Sequence, residues 1–285
     1  MVELQTIHLD EHFFRSEIRN DFRVSTQRKE IWAIEMDLLA AFIKICEKYG
    51  LTYFAEAGTL LGAIRHGGFI PWDDDIDVTM PRKDYDILCS VARENFNHPY
   101  FFQTEYTDPG SARNNHAQLR NSETTGILYS ELQEQYHFNQ GIFIDIFPLD
   151  ELPPASERKA FFAMLKDLRD KSWMYAHDVT RIDYPGDNIY YKQFDSLVKK
   201  YNGNGTGKIG MISYSLDKRH NIRNISDYAG TVMVPYENME IAVPVGYKNV
   251  LRTIYGIWKV FDIGGSMHGD VFFDTDQPYT KYVRT

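Results

Sequence analysis

One run constrains this chain more than any other: Trp72-Asp73-Asp74-Asp75-Ile76-Asp77-Val78-Thr79-Met80. Read as a strand over Ile76–Met80, its period of two sends Ile76 and Val78 into a core and puts Asp75 and Asp77 together on the opposite face. Side-by-side carboxylates repel, and a divalent cation is the usual remedy. Asp73 and Asp74 fall in the turn after Pro71, where aspartate also serves local backbone bonding.

The flanking patterns describe an α/β protein. Ile31, Ile34, Leu38, Phe42, Ile45 and Tyr49 repeat at helical spacing across Arg28–Tyr49, and Gly50 supplies the stop. Thr52–Ala57 reads as a strand and Thr59–Arg65 as a short helix opening at Gly58. Gly67-Gly68 and Pro71 then turn the chain into the acidic strand, and a helix is predicted over Arg82–Glu94. Tyr100–Thr104, His116–Asn121 and Gly141–Pro148 are strand candidates, and Ser156–Tyr175 and Ile189–Tyr201 are helical. Thr231–Tyr236 with Met239–Val243 predicts a hairpin, followed by a helix over Tyr247–Tyr255. Pro153-Pro154 suggests a division into a catalytic core, 1–152, and a mostly helical portion, 153–285, that completes the substrate site.

Composition removes several function classes. A net charge of −9 over 285 residues argues against a general nucleic-acid binder, which needs a basic surface. No apolar run of spanning length occurs, and the first residues lack the apolar segment of a secretory leader. With only two cysteines, Cys46 and Cys89, each inside a predicted helix, the expectation is a cytoplasmic protein with reduced thiols.

Asp145 is the second feature. It is the only charged residue in the run Gly141–Pro148, between Phe143-Ile144 and Ile146-Phe147, and a carboxylate so placed needs a cation or donor. Asp75, Asp77 and Asp145 form a hard oxygen donor set suited to Mg²⁺ or Mn²⁺, the ions that neutralise phosphate charge in phosphoryl transfer. Gly58-Thr59 at a helix start offers amide hydrogens and a hydroxyl to a phosphate. Arg65, Arg82 and Arg120 are candidate phosphate clamps, each equally readable as a salt-bridged arginine. His66 is a candidate substrate contact or cap, and His268 with Asp270 a candidate ligand pair or an ordinary loop histidine.

Gly58-Thr59-Leu60-Leu61-Gly62, Arg65-His66 and Phe69-Ile70-Pro71-Trp72 running into Asp73–Asp77 together resemble the signature of the LicD family, which includes the fukutin-type domains. Arg82-Lys83-Asp84-Tyr85 and Phe143–Asp150 extend the resemblance over about residues 28–155. It implies a nucleotidyltransferase-type fold: a small mixed sheet flanked by helices, with a Gly-Ser/Thr turn before an Asp-x-Asp strand. It also implies metal-dependent transfer of phosphocholine from CDP-choline to a sugar hydroxyl of a surface glycan, of teichoic acid or lipopolysaccharide type, with release of CMP. Asp75 and Asp77 match the family's metal pair, Asp145 its third carboxylate, and Gly58 and Thr59 its phosphate-facing turn. Tyr255-Gly256 and His268 match its later elements, although Ile257 stands where the pattern has an acid. An aromatic cage for the trimethylammonium group would draw on Trp72, Tyr129, Tyr136 or Trp258. The competing readings are transfer from another CDP-alcohol such as CDP-ribitol, nucleotidyl transfer, and a nucleotide- or choline-binding module without turnover. A lipid-linked acceptor would place the work at the inner face of the membrane, through peripheral contact.

Overall fold

The computed structural model describes residues 1–111, 115–134, 136–179, 188–214, 221–261 and 270–283. A hairpin of β1 (Glu17–Arg19) and β2 (Phe22–Val24) precedes the long helix α1 (Thr26–Tyr49). Ser25 caps α1, its Oγ accepting from the Arg28 N–H at 3.2 Å. Gly50, at φ 64°, ends it by donating back to the last-turn carbonyls of Cys46 and Glu47. Then come β3 (Phe54–Ala55), α2 (Ala57–His66), β4 (Asp77–Pro81), α3 (Arg82–Asn95), β5 (Tyr100–Gln103), β6 (Ala117–Asn121), β7 (Thr125–Leu128) and β8 (Ile142–Glu151). The strand expected over Thr52–Ala57 is therefore only a two-residue β3, and α2 starts at Ala57 rather than Thr59.

The ten-residue β8 organises the main sheet. Its first half pairs antiparallel with β6 over Ile142–Ile146, and on its other edge β4 runs parallel along Asp145–Leu149. β3 lies beyond β4 and β5 beyond β6. On one face, Val78, Ala117, Leu119, Ile142, Ile144 and Ile146 are fully buried and join α1 in the main core. Each such valine, leucine or isoleucine contributes roughly 1.5–3 kcal/mol by leaving water. The alternation that buries these residues sends Asp77, Gln118, Arg120, Phe143 and Asp145 to the other face.

Residues 153–285 are less purely helical than the sequence suggests. Helices α4 (Arg158–Val179) and α5 (Ile189–Val198) enclose a separate small core around Phe161, Leu165, Phe194 and Ile212. But β9 (Lys208–Gly210) pairs with the end of β8, and β10 (Arg223–Asn224) with β9, so the later chain rejoins the sheet. The expected hairpin forms as β11 (Thr231–Tyr236) and β12 (Met239–Pro244), followed by α6 (Tyr247–Tyr255). Lastly β13 (Val271–Asp274) pairs with β7. Cys46 and Cys89 are both free thiols. Among the described residues no helix is long and apolar enough to cross a membrane.

Candidate active site

Asp77 and Asp145 stand directly opposite each other on the parallel strands β4 and β8. Adjacent strands lie about 4.8 Å apart and register partners share a face, so the sheet delivers two carboxylates side by side. The backbone is pinned here: Asp77 N–H donates to Thr59 Oγ1 at 2.8 Å and Asp145 N–H to Ile76 O at 2.9 Å. The loop before β4 hangs on α1, because Arg28 Nη1 and Trp32 Nε1 donate to Asp73 O at 2.7 and 3.0 Å. Gly58 sits in the first turn of α2 against this loop, where a Cβ would lie 2.5 Å from Asp73 Oδ2. Ala57, just before it, adopts a left-handed φ of 42°, which non-glycine residues rarely do outside constrained sites.

The two facing carboxylates are held differently. Asp145 Oδ1 bonds Gln118 Nε2 at 2.7 Å and His116 Nε2 at 2.8 Å. Burial raises the Asp145 carboxyl, but His116, Gln118 and Arg120 outweigh it and keep it below the usual carboxylate range. At Asp77, burial and then the like charges of Asp75, Asp145, Asp73 and Glu56 push the carboxyl well above that range. No hydrogen bond or ion pair to the Asp77 carboxylate is found among the described residues. Glu35, almost completely buried on α1, is raised by burial and then by Asp75, Asp74 and Asp73. The site carries an excess of negative charge.

Among the described residues, no three His, Cys, Asp or Glu side chains stand as a ready-made metal cage. A magnesium site of phosphoryl transfer does not require one, since Mg²⁺ usually takes one or two carboxylates and completes its shell with phosphate oxygens and water. The donors present are hard oxygens, and the repulsion focused on Asp77 is what a cation relieves. The residues fit Mg²⁺ or Mn²⁺.

Residues 50–185, which hold both strands and Gly58, match the family described as LicD/FKTN/FKRP, nucleotidyltransferase domain. The chain carries a LicD-family domain. It is 30% identical over 154 residues to lipopolysaccharide cholinephosphotransferase LicD of Haemophilus influenzae, across 51% of this chain and 55% of that protein. A shorter match, 45% identical over 42 residues, links it to human ribitol 5-phosphate transferase FKRP, across 15% of this chain and 8% of that one. The uncharacterized protein RP689 of Rickettsia prowazekii is 39% identical over 64 residues, 22% of each chain. The chain thus spans about half the length of the Haemophilus relative and less of the other two.

Within the LicD-family domain, the arginines proposed as phosphate clamps do other work. Arg120 is buried, and its guanidinium donates to Gln103 Oε1 at 2.6 Å, Gly141 O at 2.7 Å and Gln118 Oε1 at 2.5 Å. Desolvation lowers its pKa to about 10. By holding the Gln118 carbonyl it aims the Gln118 amide at Asp145. Arg82 forms a bidentate buried pair with Asp150, Nε to Oδ1 at 2.7 Å and Nη2 to Oδ2 at 2.6 Å. It follows the far end of β4, five residues from Asp77 and thus roughly 16 Å along the strand. Arg82→Ala should cost about 3–5 kcal/mol by stranding the fully buried Asp150; urea unfolding with an unchanged midpoint would contradict the pairing. Arg65 lies in the last turn of α2 and donates to Val260 O at 2.9 Å, away from Gly58. His66 Nδ1 contacts Asn20 Oδ1 at 3.0 Å, and desolvation lowers its pKa to about 4. His268 lies outside the described residues.

Thr59 stays at the site, though its nearly buried hydroxyl accepts from Asp77 instead of facing outward. His116 and Gln118 were missed as partners of Asp145. The alternation His116, Gln118, Arg120 against Ala117 and Leu119 was the signal available. Among the cage candidates, Tyr136 is buried and stacked on Phe138, Trp72 packs against Phe22 and His66, and Trp258 is half-buried in the turn after α6. Tyr129 is exposed and lines a cleft of about 440 Å³ with Arg28, Asp74, Asp270 and Phe272. Two tyrosines, Tyr214 and the Tyr255 of the Tyr-Gly element, are in electrostatic reach of the carboxylates. Tyr214 is raised by burial, then by Asp77, Asp145 and Asp75; Tyr255 is raised by burial, then by Asp77, Glu56 and Asp73.

Proposed function

We propose that the domain transfers phosphocholine from CDP-choline to a sugar hydroxyl of a cell-surface glycan precursor, of teichoic acid or lipopolysaccharide type, releasing CMP. The observation that carries this reading is the in-register pair Asp77 and Asp145 beside the glycine turn at Gly58. The resemblance to a lipopolysaccharide cholinephosphotransferase supports it. Asp75, Asp77 and Asp145 would hold Mg²⁺ or Mn²⁺, which supplies charge neutralisation at the donor diphosphate. The acceptor oxygen attacks the phosphorus bearing choline, the bond from that phosphorus to the bridging oxygen breaks, and CMP leaves with the electron pair. Asp145, kept ionised with Oδ1 held by His116 and Gln118, orients the acceptor hydroxyl with its other oxygen. Its lowered pKa makes it a feeble base, so positioning is the larger contribution and the hydroxyl proton passes through it to water. Amide hydrogens in the first turn of α2 face donor phosphate. Thr59 fixes the start of β4, and with it Asp77. The cleft at Asp74 and Tyr129 has room for a sugar ring and an aromatic wall to stack on.

Mass spectrometry of products from CDP-choline and a panel of glycan acceptors, with and without Mg²⁺, tests this reading. A mass increase of one phosphocholine together with CMP, dependent on the ion, is the expected result. Likeness to a ribitol 5-phosphate transferase favours CDP-ribitol as the second donor, and competition between the two CDP-alcohols separates them. Transfer of CMP to the acceptor would instead indicate nucleotidyl transfer. Tight donor binding with no CMP after hours would indicate a binding module.

A further inference from the structure

The turn after α6 carries an exposed apolar cluster that the transfer reaction leaves unused. Ile257, Val260 and Phe261 are 80%, 59% and 54% exposed within five residues. They are held in place: Val260 N–H closes the turn on Ile257 O at 3.3 Å, and Arg65 Nη1 donates to Val260 O at 2.9 Å. The Arg65 guanidinium also lies 5.0 Å from the centre of the Phe261 ring, and His66 meets the same ring edge-to-face at 5.3 Å. The last turn of α2 therefore fixes the backbone of the apolar turn while its side chains face water.

The stretch of sequence leading into the turn runs against the charge of the whole chain. From Val245 to Phe261 there are three cations, Lys248, Arg252 and Lys259, all exposed, and no acid, in a chain of net charge −9. Trp258, half-buried at the base of the turn, lies beneath Lys259, whose Nζ is 5.6 Å from its ring centre. A small apolar wedge collared by lysine and arginine, with a tryptophan at its base, matches the interface of an anionic bilayer, where apolar side chains enter the acyl boundary and cations meet headgroups.

We propose that the Ile257–Phe261 turn docks this protein on an anionic lipid surface. Helix α2 runs from Gly58, beside the catalytic carboxylates, to Arg65, which grips the turn; seven residues of helix amount to roughly 10 Å. Docking would hold the carboxylates close to the headgroup plane, within reach of a sugar carried on a lipid. The purpose assigned to docking rests on the transfer reading; the binding itself does not.

Co-sedimentation with large unilamellar vesicles tests it, using phosphatidylcholine alone and phosphatidylcholine with a quarter phosphatidylglycerol. The protein should bind the anionic vesicles and release them as salt rises. The double variant Ile257→Ser/Phe261→Ser should lower the partition coefficient by about tenfold or more, and Lys248→Gln/Lys259→Gln should remove the preference for anionic lipid. Circular dichroism checks that both variants fold. Absence of binding to either vesicle, or equal binding by Ile257→Ser/Phe261→Ser, overturns the proposal. So does a wild-type dimer in sedimentation velocity that the same variant disperses, since the wedge would then be a contact between copies. Because the assay involves no turnover, docking and phosphocholine transfer fail independently.

Discussion

Asp77→Asn is expected to abolish transfer and, in the absence of metal, to stabilise the fold. The activity loss should reach on the order of 10³-fold or more, since the variant removes a charged group argued to act on the reacting phosphate. The gain in stability follows from electrostatics. Burial and the charges of Asp75, Asp145, Asp73 and Glu56 all oppose ionisation of Asp77, and no partner among the described residues offsets them. An amide of the same shape carries no charge to repel. Each 1 kcal/mol relieved should raise Tm by roughly 3 °C in a chain of this size.

The pH dependence gives this prediction a sign. A carboxyl whose folded pKa lies above its unfolded value binds more protons in the folded state between the two. Its contribution is fully present below the unfolded value, near pH 4, and is lost as pH rises through the folded one. The Tm advantage of Asp77→Asn over wild type should therefore be small at pH 4, grow as pH rises, and shrink when Mg²⁺ is added. A variant less stable than wild type at pH 8 without metal would mean that Asp77 has a partner after all.

Gly58→Ala should lower kcat/KM by about 10²-fold while leaving the fold nearly intact, since misplacing a side chain of the site by an ångström costs that much. A methyl group at residue 58 cannot coexist with Asp73 Oδ2 at 2.5 Å, so the Asp73 carboxylate must swing away. Asp73 O is fixed by Arg28 and Trp32, which confines the movement to its side chain and to the approach toward Asp75. In an Asp73→Ala background the same methyl meets nothing, and its additional cost should fall below threefold, a coupling readable from a double-mutant cycle. Full activity of the single variant would show that this contact is irrelevant to turnover.

Much of the architecture was legible because it is local. α1 announced itself through its periodicity and Gly50, and the acidic strand through the switch from carboxylates to Val78 and Met80. Asp145 stood out as the one charge in an otherwise apolar run, and the strand period sets it on the face opposite the buried Ile144 and Ile146. What sequence could not supply was register between strands distant in the chain. The Asp77–Asp145 alignment comes from a parallel pairing across nearly seventy intervening residues that hold α3, β5, β6 and β7. Arginine destinations were equally hidden. Arg82 and Arg120 have the composition of phosphate clamps, yet one neutralises Asp150 and the other orients Gln118, choices made by tertiary neighbours. Likewise Tyr214 and Tyr255 approach the carboxylates only because the later chain returns to the sheet and packs against α2.

Calorimetric titration of Mn²⁺ into the protein saturated with CDP-choline tests the central claim most directly. Wild type should bind the ion, and Asp77→Asn and Asp145→Asn should each weaken that binding at least about tenfold, as the loss of a charged oxygen ligand requires. Equal Mn²⁺ affinity in all three proteins would contradict it.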